Sequence, residues 1–86
     1  MIFYAEHSCD VCADAEVELQ SSGYNYKKYF VTAASQPGFI LIWNGGESTM
    51  VHRTTIPYVP ALYDKKRNFL ICGLEGIINY LRGGHD

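Results

Sequence analysis

The chain has 86 residues, of which 48% are hydrophobic and 14% aromatic, and its formal net charge is −2 at pH 7. This length suits one small domain, residues 1–86, and the apolar content excludes an intrinsically disordered chain. The near balance of charge leaves no basic face for a phosphate backbone, so we do not expect a nucleic-acid partner.

The sequence shows no secretory signal or membrane span, and its cysteine count also indicates an intracellular protein. The opening residues, MIFYAEHSCD, lack the basic start and long apolar run of a secretory signal. The longest apolar run, FILIW at 39–43, is far shorter than the roughly 20 residues of a membrane span. Three cysteines, an odd number, do not fit a secreted disulfide framework. We therefore expect a cytoplasmic monomer with no membrane partner.

The first third of the chain predicts a strand, a helix and a second strand. MIFYA, residues 1–5, is apolar without strict alternation, which favours a central strand covered on both faces. A helix follows from Asp10 to Ser22, with acidic residues early and Gly23 suited to its C-terminal cap. YNYKKYFV, residues 24–31, is rich in strand formers, and its two lysines are typical of an edge strand. A helix crossover between two short strands predicts parallel, right-handed pairing.

The middle of the chain, residues 32–55, fits two alternatives. FILIWNGGESTMVHR reads as a hairpin about Asn44-Gly45, a dipeptide that favours the type I′ turn. It also reads as a short helix capped by Ser35 and ended by Gly45, with an apolar face that includes Trp43. The local sequence slightly favours the hairpin.

The end of the chain predicts a hairpin and a helix. VPALYD and NFLICG are strand-like runs joined by the polar turn KKR. LEGIINYLRGG then has Leu74, Ile77, Ile78 and Leu81 at positions i, i+3, i+4 and i+7, which gives one apolar helix face.

This element order, with CDVC after the first strand, YVPAL before the third and ICGLEG opening the last helix, resembles the glutaredoxins and other small thioredoxin-fold redoxins. The resemblance covers nearly the whole chain. It implies an α/β, thioredoxin-like fold with a four-stranded mixed sheet flanked by helices. Because the family has a helix between its second and third strands, the resemblance favours the helix for the middle segment.

The two cysteines of CDVC are the predicted catalytic residues. Cys9 lies at the start of the first helix, where free backbone N–H groups and the helix dipole stabilise a thiolate, so Cys9 is the expected nucleophile. Cys12, one turn further on, is the expected resolving thiol. Asp10 opposes a second negative charge on Cys9, so we expect a higher pKa for the Cys9 thiol and a more reducing protein than in relatives without this acid. A protonated His7 would help the thiolate, although an exposed loop histidine is the simpler interpretation.

The same cysteines also allow a metal half-site. HSCDVC offers His7, and either His52 or Cys72 could complete a set of four ligands. Zinc sites usually bring a second close pair of ligands, which this chain lacks, so we predict a redox pair and no metal. Cys72 is expected to pack as a small apolar residue in a strand.

Two prolines compete for the cis-proline that faces the active site in the resembled family. If Pro57 were that residue, Pro60 would fall inside the following strand, where it removes a hydrogen-bond donor. Pro60 is therefore the better choice. A cis bond there would leave the backbone of Val59 beside Cys9, free to pair with an extended peptide or with glutathione.

The turn Cys72-Gly73-Leu74-Glu75 resembles the glycine turn that binds a glutathione carboxylate in this family. Gly73 permits close backbone approach, and the following helix start offers N–H groups to an anion. Glu75 is expected either to cap the helix or to bind the glutathione amino group. Many glutaredoxins carry a lysine three residues before the first cysteine; here Glu6 stands there and would repel a carboxylate.

The predicted function is therefore a dithiol-disulfide oxidoreductase that acts through Cys9 and Cys12. Its expected partners are disulfide-containing proteins, with ribonucleotide reductase as a client that the resemblance suggests. The electron donor is either glutathione as a co-substrate or a thioredoxin reductase-type enzyme, and no bound cofactor is expected. The alternative is a non-enzymatic module of the same fold that binds a metal or a protein through the cysteines.

Overall fold

A computed structural model describes residues 1–83, which form a sheet with two helices. The elements follow the predicted order at both ends of the chain, and a hairpin occupies the middle. In chain order they are β1 (Ile2–Ala5), α1 (Asp10–Ser21), β2 (Lys27–Ala33), β3 (Phe39–Asn44), β4 (Glu47–His52), a 3₁₀ turn (Arg53–Thr55), β5 (Ala61–Asp64), β6 (Phe69–Cys72) and α2 (Leu74–Leu81).

The sheet has six strands in the order β4-β3-β2-β1-β5-β6. β1 and β2 pair in parallel, as predicted, and the other neighbours pair antiparallel. The predicted four-stranded, thioredoxin-like sheet flanked by helices is therefore wrong. The difference arises in the middle segment, where two further strands extend the sheet beyond β2.

The β3–β4 hairpin shows why the helix expected from the resemblance does not form. Asn44 pairs with Glu47, so Gly45 and Gly46 make a two-residue turn, and Gly45 adopts a positive φ of 65°. Glycine accepts that conformation without steric cost, and the flanking residues are strong strand formers. The hairpin favoured by the local sequence is confirmed, but its turn is Gly45-Gly46 and not the predicted Asn44-Gly45.

Two details of the predicted strands are corrected by the sheet. β1 is central, as predicted, but only Phe3 and Ala5 are fully buried, while the alternate side chains of the strand are half-buried. One face of β1 is therefore only partly covered, by the small cluster against which Tyr4 packs. β2 is an interior strand and not an edge: β3 pairs with Phe30–Ala33, and Lys27 and Lys28 lie before that pairing begins. The lysines are tolerated because β2 pairs at this end with β1 alone and is open on the side of β3.

Both helices pack on the same face of the sheet and enclose the main core. Its largest fully buried side chains are Phe3, Leu19, Leu62 and Ile77, one from each of β1, α1, β5 and α2. Full burial of such a side chain contributes about 1.5–3 kcal/mol. A smaller cluster of Val31, Ile56 and Ala61 lies on the opposite face. Within residues 1–83, neither helix has the length and apolar character needed to cross a membrane.

Candidate functional site

The two cysteines of CDVC lie where β1 passes into α1. The chain turns through Glu6–Ser8, where Ser8 takes a left-handed φ of 58°, and Cys9 then serves as the N-cap of the helix. Cys12 lies in the first helical turn. The two residues form a disulfide across a Cα–Cα distance of 5.2 Å. The predicted cysteine pair is thus joined at the end of a central strand.

The two sulfur atoms differ in environment. Both cysteines line one cavity, but Cys9 is half-buried whereas Cys12 is only 3% exposed. The backbone N–H of Cys12 donates a hydrogen bond to Sγ of Cys9, with an N···S distance of 3.1 Å. A sulfur at a helix N-terminus that accepts a backbone N–H is favoured as a thiolate. Cys9 therefore has both the access and the stabilising contacts that a nucleophile needs.

A cavity of about 310 Å³ opens beside the disulfide, at the C-terminal end of β1. Its wall contains a stack of side chains. The ring of His7 lies parallel to that of Phe30, with a centroid distance of 4.1 Å and an interplanar angle of 6°. Nζ of Lys28 lies 4.8 Å from the Phe30 centroid. His7 is exposed to solvent, as a loop histidine is expected to be, but its ring is held against β2.

The charge of Lys28 is neutralised within the same wall. Its Nζ lies 2.7 Å from Oε1 of Glu16, and the Tyr26 hydroxyl donates to Oε2 at 2.8 Å. Burial opposes the charge on Glu16, but the hydrogen bonds from Lys28 and Tyr26 outweigh it and hold the pKa of that carboxyl below its usual value. Glu16 therefore favours its charged form, in which it accepts from both Lys28 and Tyr26.

The segment before β5 supplies the next part of the site. The Val59–Pro60 peptide bond is cis, as predicted for Pro60 and not for Pro57. Val59 packs against the same buried cluster as Cys9. The backbone N–H of Gly73 donates to the carbonyl oxygen of Pro60 at 2.8 Å, which ties the start of α2 to this segment.

The predicted glycine turn is present at the start of α2. Gly73 is the N-cap of α2 with φ 94° and ψ 149°, and the ring of Tyr58 lies beside it. Leu74 begins the helix and packs against the main core. Glu75 is exposed in the first helical turn and forms no capping hydrogen bond within residues 1–83. Within residues 1–83, Glu75 therefore does not cap α2, which was the first of its two expected roles.

The residues considered for a metal site are spread across the sheet. His52 ends β4 at one edge of the sheet, and Cys72 ends β6 at the other. Neither can join His7 and the cysteine pair. In the described part of the chain, no group of three or more histidine, cysteine, aspartate or glutamate side chains is arranged to hold a metal ion. Cys72 is half-buried and packs against the smaller cluster, as predicted for a strand cysteine.

Two acidic residues flank the cysteine pair without a partner. Glu6 and Asp10 are exposed, line the cavity, and make no side-chain hydrogen bond or ion pair within residues 1–83. The site thus contains two uncompensated carboxylates near Cys9.

Three cavity residues were missed in the sequence: Glu16, Lys28 and Phe30. Register explains the position of the two β2 residues, because Phe30 lies opposite Ala5 and Lys28 opposite Phe3 in the parallel β1–β2 pair. Glu16 lies in α1 and is paired with Lys28. The predicted parallel pairing was the available signal, since it requires the later residues of β2 to run beside the end of β1.

Comparisons with protein-family models, curated proteins and solved structures give no match for this chain. The functional argument therefore depends on the geometry of the site.

Proposed function

We propose that this protein is a dithiol-disulfide oxidoreductase that reduces disulfides through Cys9 and Cys12. The observation that carries the proposal is the asymmetry of the pair. Cys9 is partly exposed at a cavity and its sulfur accepts a backbone N–H at the helix start, whereas Cys12 is buried one turn away. This arrangement supports Cys9 as the attacking thiolate and Cys12 as the resolving thiol.

The reaction starts from the reduced pair. The Cys9 thiolate attacks one sulfur of a substrate disulfide, forms a mixed disulfide and releases the other substrate sulfur as a thiolate, which takes up a proton. Cys12, after losing its proton, attacks Sγ of Cys9 and releases the second substrate thiol. The substrate gains two electrons and two protons, and the protein is left with the Cys9–Cys12 disulfide.

The oxidised pair then requires a thiol or dithiol donor. Glutathione, acting with its reductase, and a thioredoxin reductase-type flavoenzyme are the two donor classes within the proposal. Both belong to reducing compartments such as the cytoplasm, where we propose that the protein acts. Protein disulfides are the substrates, and ribonucleotide reductase is one client within this class.

The backbone around Val59 supports a binding surface for the substrate chain. Val59 and Cys9 pack against one cluster, and the Gly73 N–H fixes the Pro60 carbonyl at the start of α2. An extended peptide bound by backbone hydrogen bonds at Val59 would lie along the edge of the site. Leu74 and Glu75, at the start of α2, are the remaining proposed contacts.

The test is reduction of a protein disulfide, measured in parallel with glutathione plus its reductase and with thioredoxin reductase. We expect turnover with at least one donor, loss of turnover in Cys9→Ser, and a trapped mixed disulfide in Cys12→Ser. Cys72→Ser is the matched control, because Cys72 packs on the opposite face of the sheet, and its turnover should equal that of the wild type. Turnover that survives Cys9→Ser would refute the proposal.

A further inference from the structure

Charge is distributed unevenly along the strand direction of the sheet. Glu6 and Asp10, both exposed, stand at the C-terminal end of β1, beside Cys9. The cavity also contains Glu16 and Lys28, but these are paired at 2.7 Å and their charges cancel. Apart from this pair, the acidic side chains that line the cavity are Glu6 and Asp10, and the exposed ring of His7 lines it as well.

The opposite end of the sheet is basic. Ile2, which begins β1, lies opposite Lys27 on one side and Tyr63 on the other, so the turn after β5 belongs to this end. That turn contains three basic residues, Lys65, Lys66 and Arg67. Of these, Arg67 is paired with Asp64 at 3.2 Å, and the two lysines are exposed.

Arg53 also stands at the acidic end, but it lies far across the sheet. Arg53 follows β4, which is three strands away from β1. Three strand spacings amount to about 14 Å, which exceeds the screening length of roughly 8–10 Å at physiological salt. At physiological salt, Arg53 therefore does not offset the charge of Glu6 and Asp10 at Cys9.

Two exposed apolar side chains border the same end of the molecule. Val11, in the first turn of α1, is 47% exposed, and Tyr58, beside Gly73, is 62% exposed. Val11 follows Cys9 by two residues in the chain, and Tyr58 precedes Val59. Both side chains offer exposed apolar surface to a bound polypeptide.

We propose that the cysteine pair selects disulfides of polypeptides in which basic residues flank the disulfide. This inference rests on the proposed function and adds the substrate class to it. Opposite charges raise the rate of encounter and favour the mixed disulfide, whereas a substrate with carboxylates beside its disulfide is repelled by Glu6 and Asp10. The exchange is the two-electron reaction given above and needs no additional reactant.

The experiment uses two cyclic disulfide peptides that differ only in the residues flanking the cysteines, a lysine pair in one and a glutamate pair in the other. The pre-reduced full-length protein is mixed with each, and the second-order rate constant is measured. Each rate constant is divided by the rate constant with which dithiothreitol reduces the same peptide. This ratio corrects for the intrinsic reactivity of the two disulfides. Measurements at about 20 mM and about 300 mM salt span screening lengths of roughly 20 Å and roughly 6 Å.

We expect the lysine peptide to react about tenfold faster at low salt, with less than a twofold difference at high salt. The double variant Glu6→Gln/Asp10→Asn should reduce the low-salt ratio to about threefold or less. Because the ratio compares two peptides on one protein, any change in the reactivity of Cys9 itself cancels. Glu47→Gln is the control: Glu47 is an exposed acid at the β3–β4 turn, and its removal should leave the ratio unchanged.

The outcomes separate this inference from the proposed function. Equal corrected rates for both peptides, or a ratio that the double variant does not alter, would overturn the charge selection while leaving disulfide reduction intact. If the protein reduces neither peptide, the proposed function is overturned, and the inference with it.

Discussion

Replacing Gly73 by alanine should destabilise the protein through its backbone. Gly73 caps α2 with φ 94° and ψ 149°, a region that residues with a Cβ rarely occupy. Its N–H also donates to the Pro60 carbonyl at 2.8 Å, which holds the residue in this conformation. An alanine must either adopt the unfavourable backbone angles or shift the start of α2.

An alanine at position 73 could cost stability in two ways, through steric overlap of its Cβ or through unfavourable backbone angles. A Cβ built on Gly73 lies 3.7 Å from Cε2 of Tyr58, which is ordinary van der Waals contact, so steric overlap adds no cost. A residue held in such a backbone region costs about 1–3 kcal/mol. We therefore expect the free energy of unfolding to fall by about 2 kcal/mol, a large share of the roughly 5–15 kcal/mol typical of a domain.

Urea unfolding of the oxidised protein, followed by far-UV circular dichroism, measures this change. The free energy of unfolding of a small protein falls by about 1 kcal/mol per molar urea, so the urea concentration at the unfolding midpoint should fall by about 2 M. Gly46→Ala is the matched control, because Gly46 lacks a positive φ and no atom lies within 4 Å of its Cβ position. If Gly73→Ala and Gly46→Ala unfold at the same midpoint, the conformational argument is wrong.

Two further predictions concern carboxylates. Asp10→Asn should lower the pKa of the Cys9 thiol, because a negative charge near the helix start is removed; the pH dependence of Cys9 alkylation measures it, and an unchanged or higher midpoint would contradict the reasoning. Asp64 is buried, and the Tyr80 hydroxyl, with help from Arg67, holds the pKa of its carboxyl below the usual value. This stabilisation is complete above the unfolded-state pKa of about 4 and is lost as pH falls through the lower folded-state pKa. The difference in free energy of unfolding between the wild type and Asp64→Asn should therefore narrow between about pH 5 and pH 2. A difference that stays constant over this range would count against it.

Local signals in the sequence predicted most of the elements and the centre of the site. The CDVC pair at a strand-to-helix junction, Pro60 before a strand and Gly73 before the last helix each depend on residues close together in the chain. The structure has each of them in the expected element. Backbone requirements of this kind are local, which is why single residues such as glycine and proline reveal them.

The size of the sheet could not be obtained from the family resemblance. The local sequence predicted a hairpin about Asn44-Gly45, whereas the resemblance favoured a helix; the hairpin forms, with its turn one residue later at Gly45-Gly46. Strand order and register depend on contacts between distant segments. The sequence of β2 therefore did not reveal that Phe30 and Lys28 would lie beside the cysteines, nor that β3 would cover its later half.

The position of Trp43 gives the added hairpin an optical signal of its own. Trp43 is the single tryptophan of the chain, lies in β3, and donates from Nε1 to Oγ1 of Thr32 on β2 at 2.8 Å. Its emission therefore reports the β2–β3 junction, while far-UV dichroism follows the helices. If strands β3 and β4 detach before the helical layer unfolds, fluorescence and dichroism will give separate transitions, and coincident curves will identify one cooperative unit.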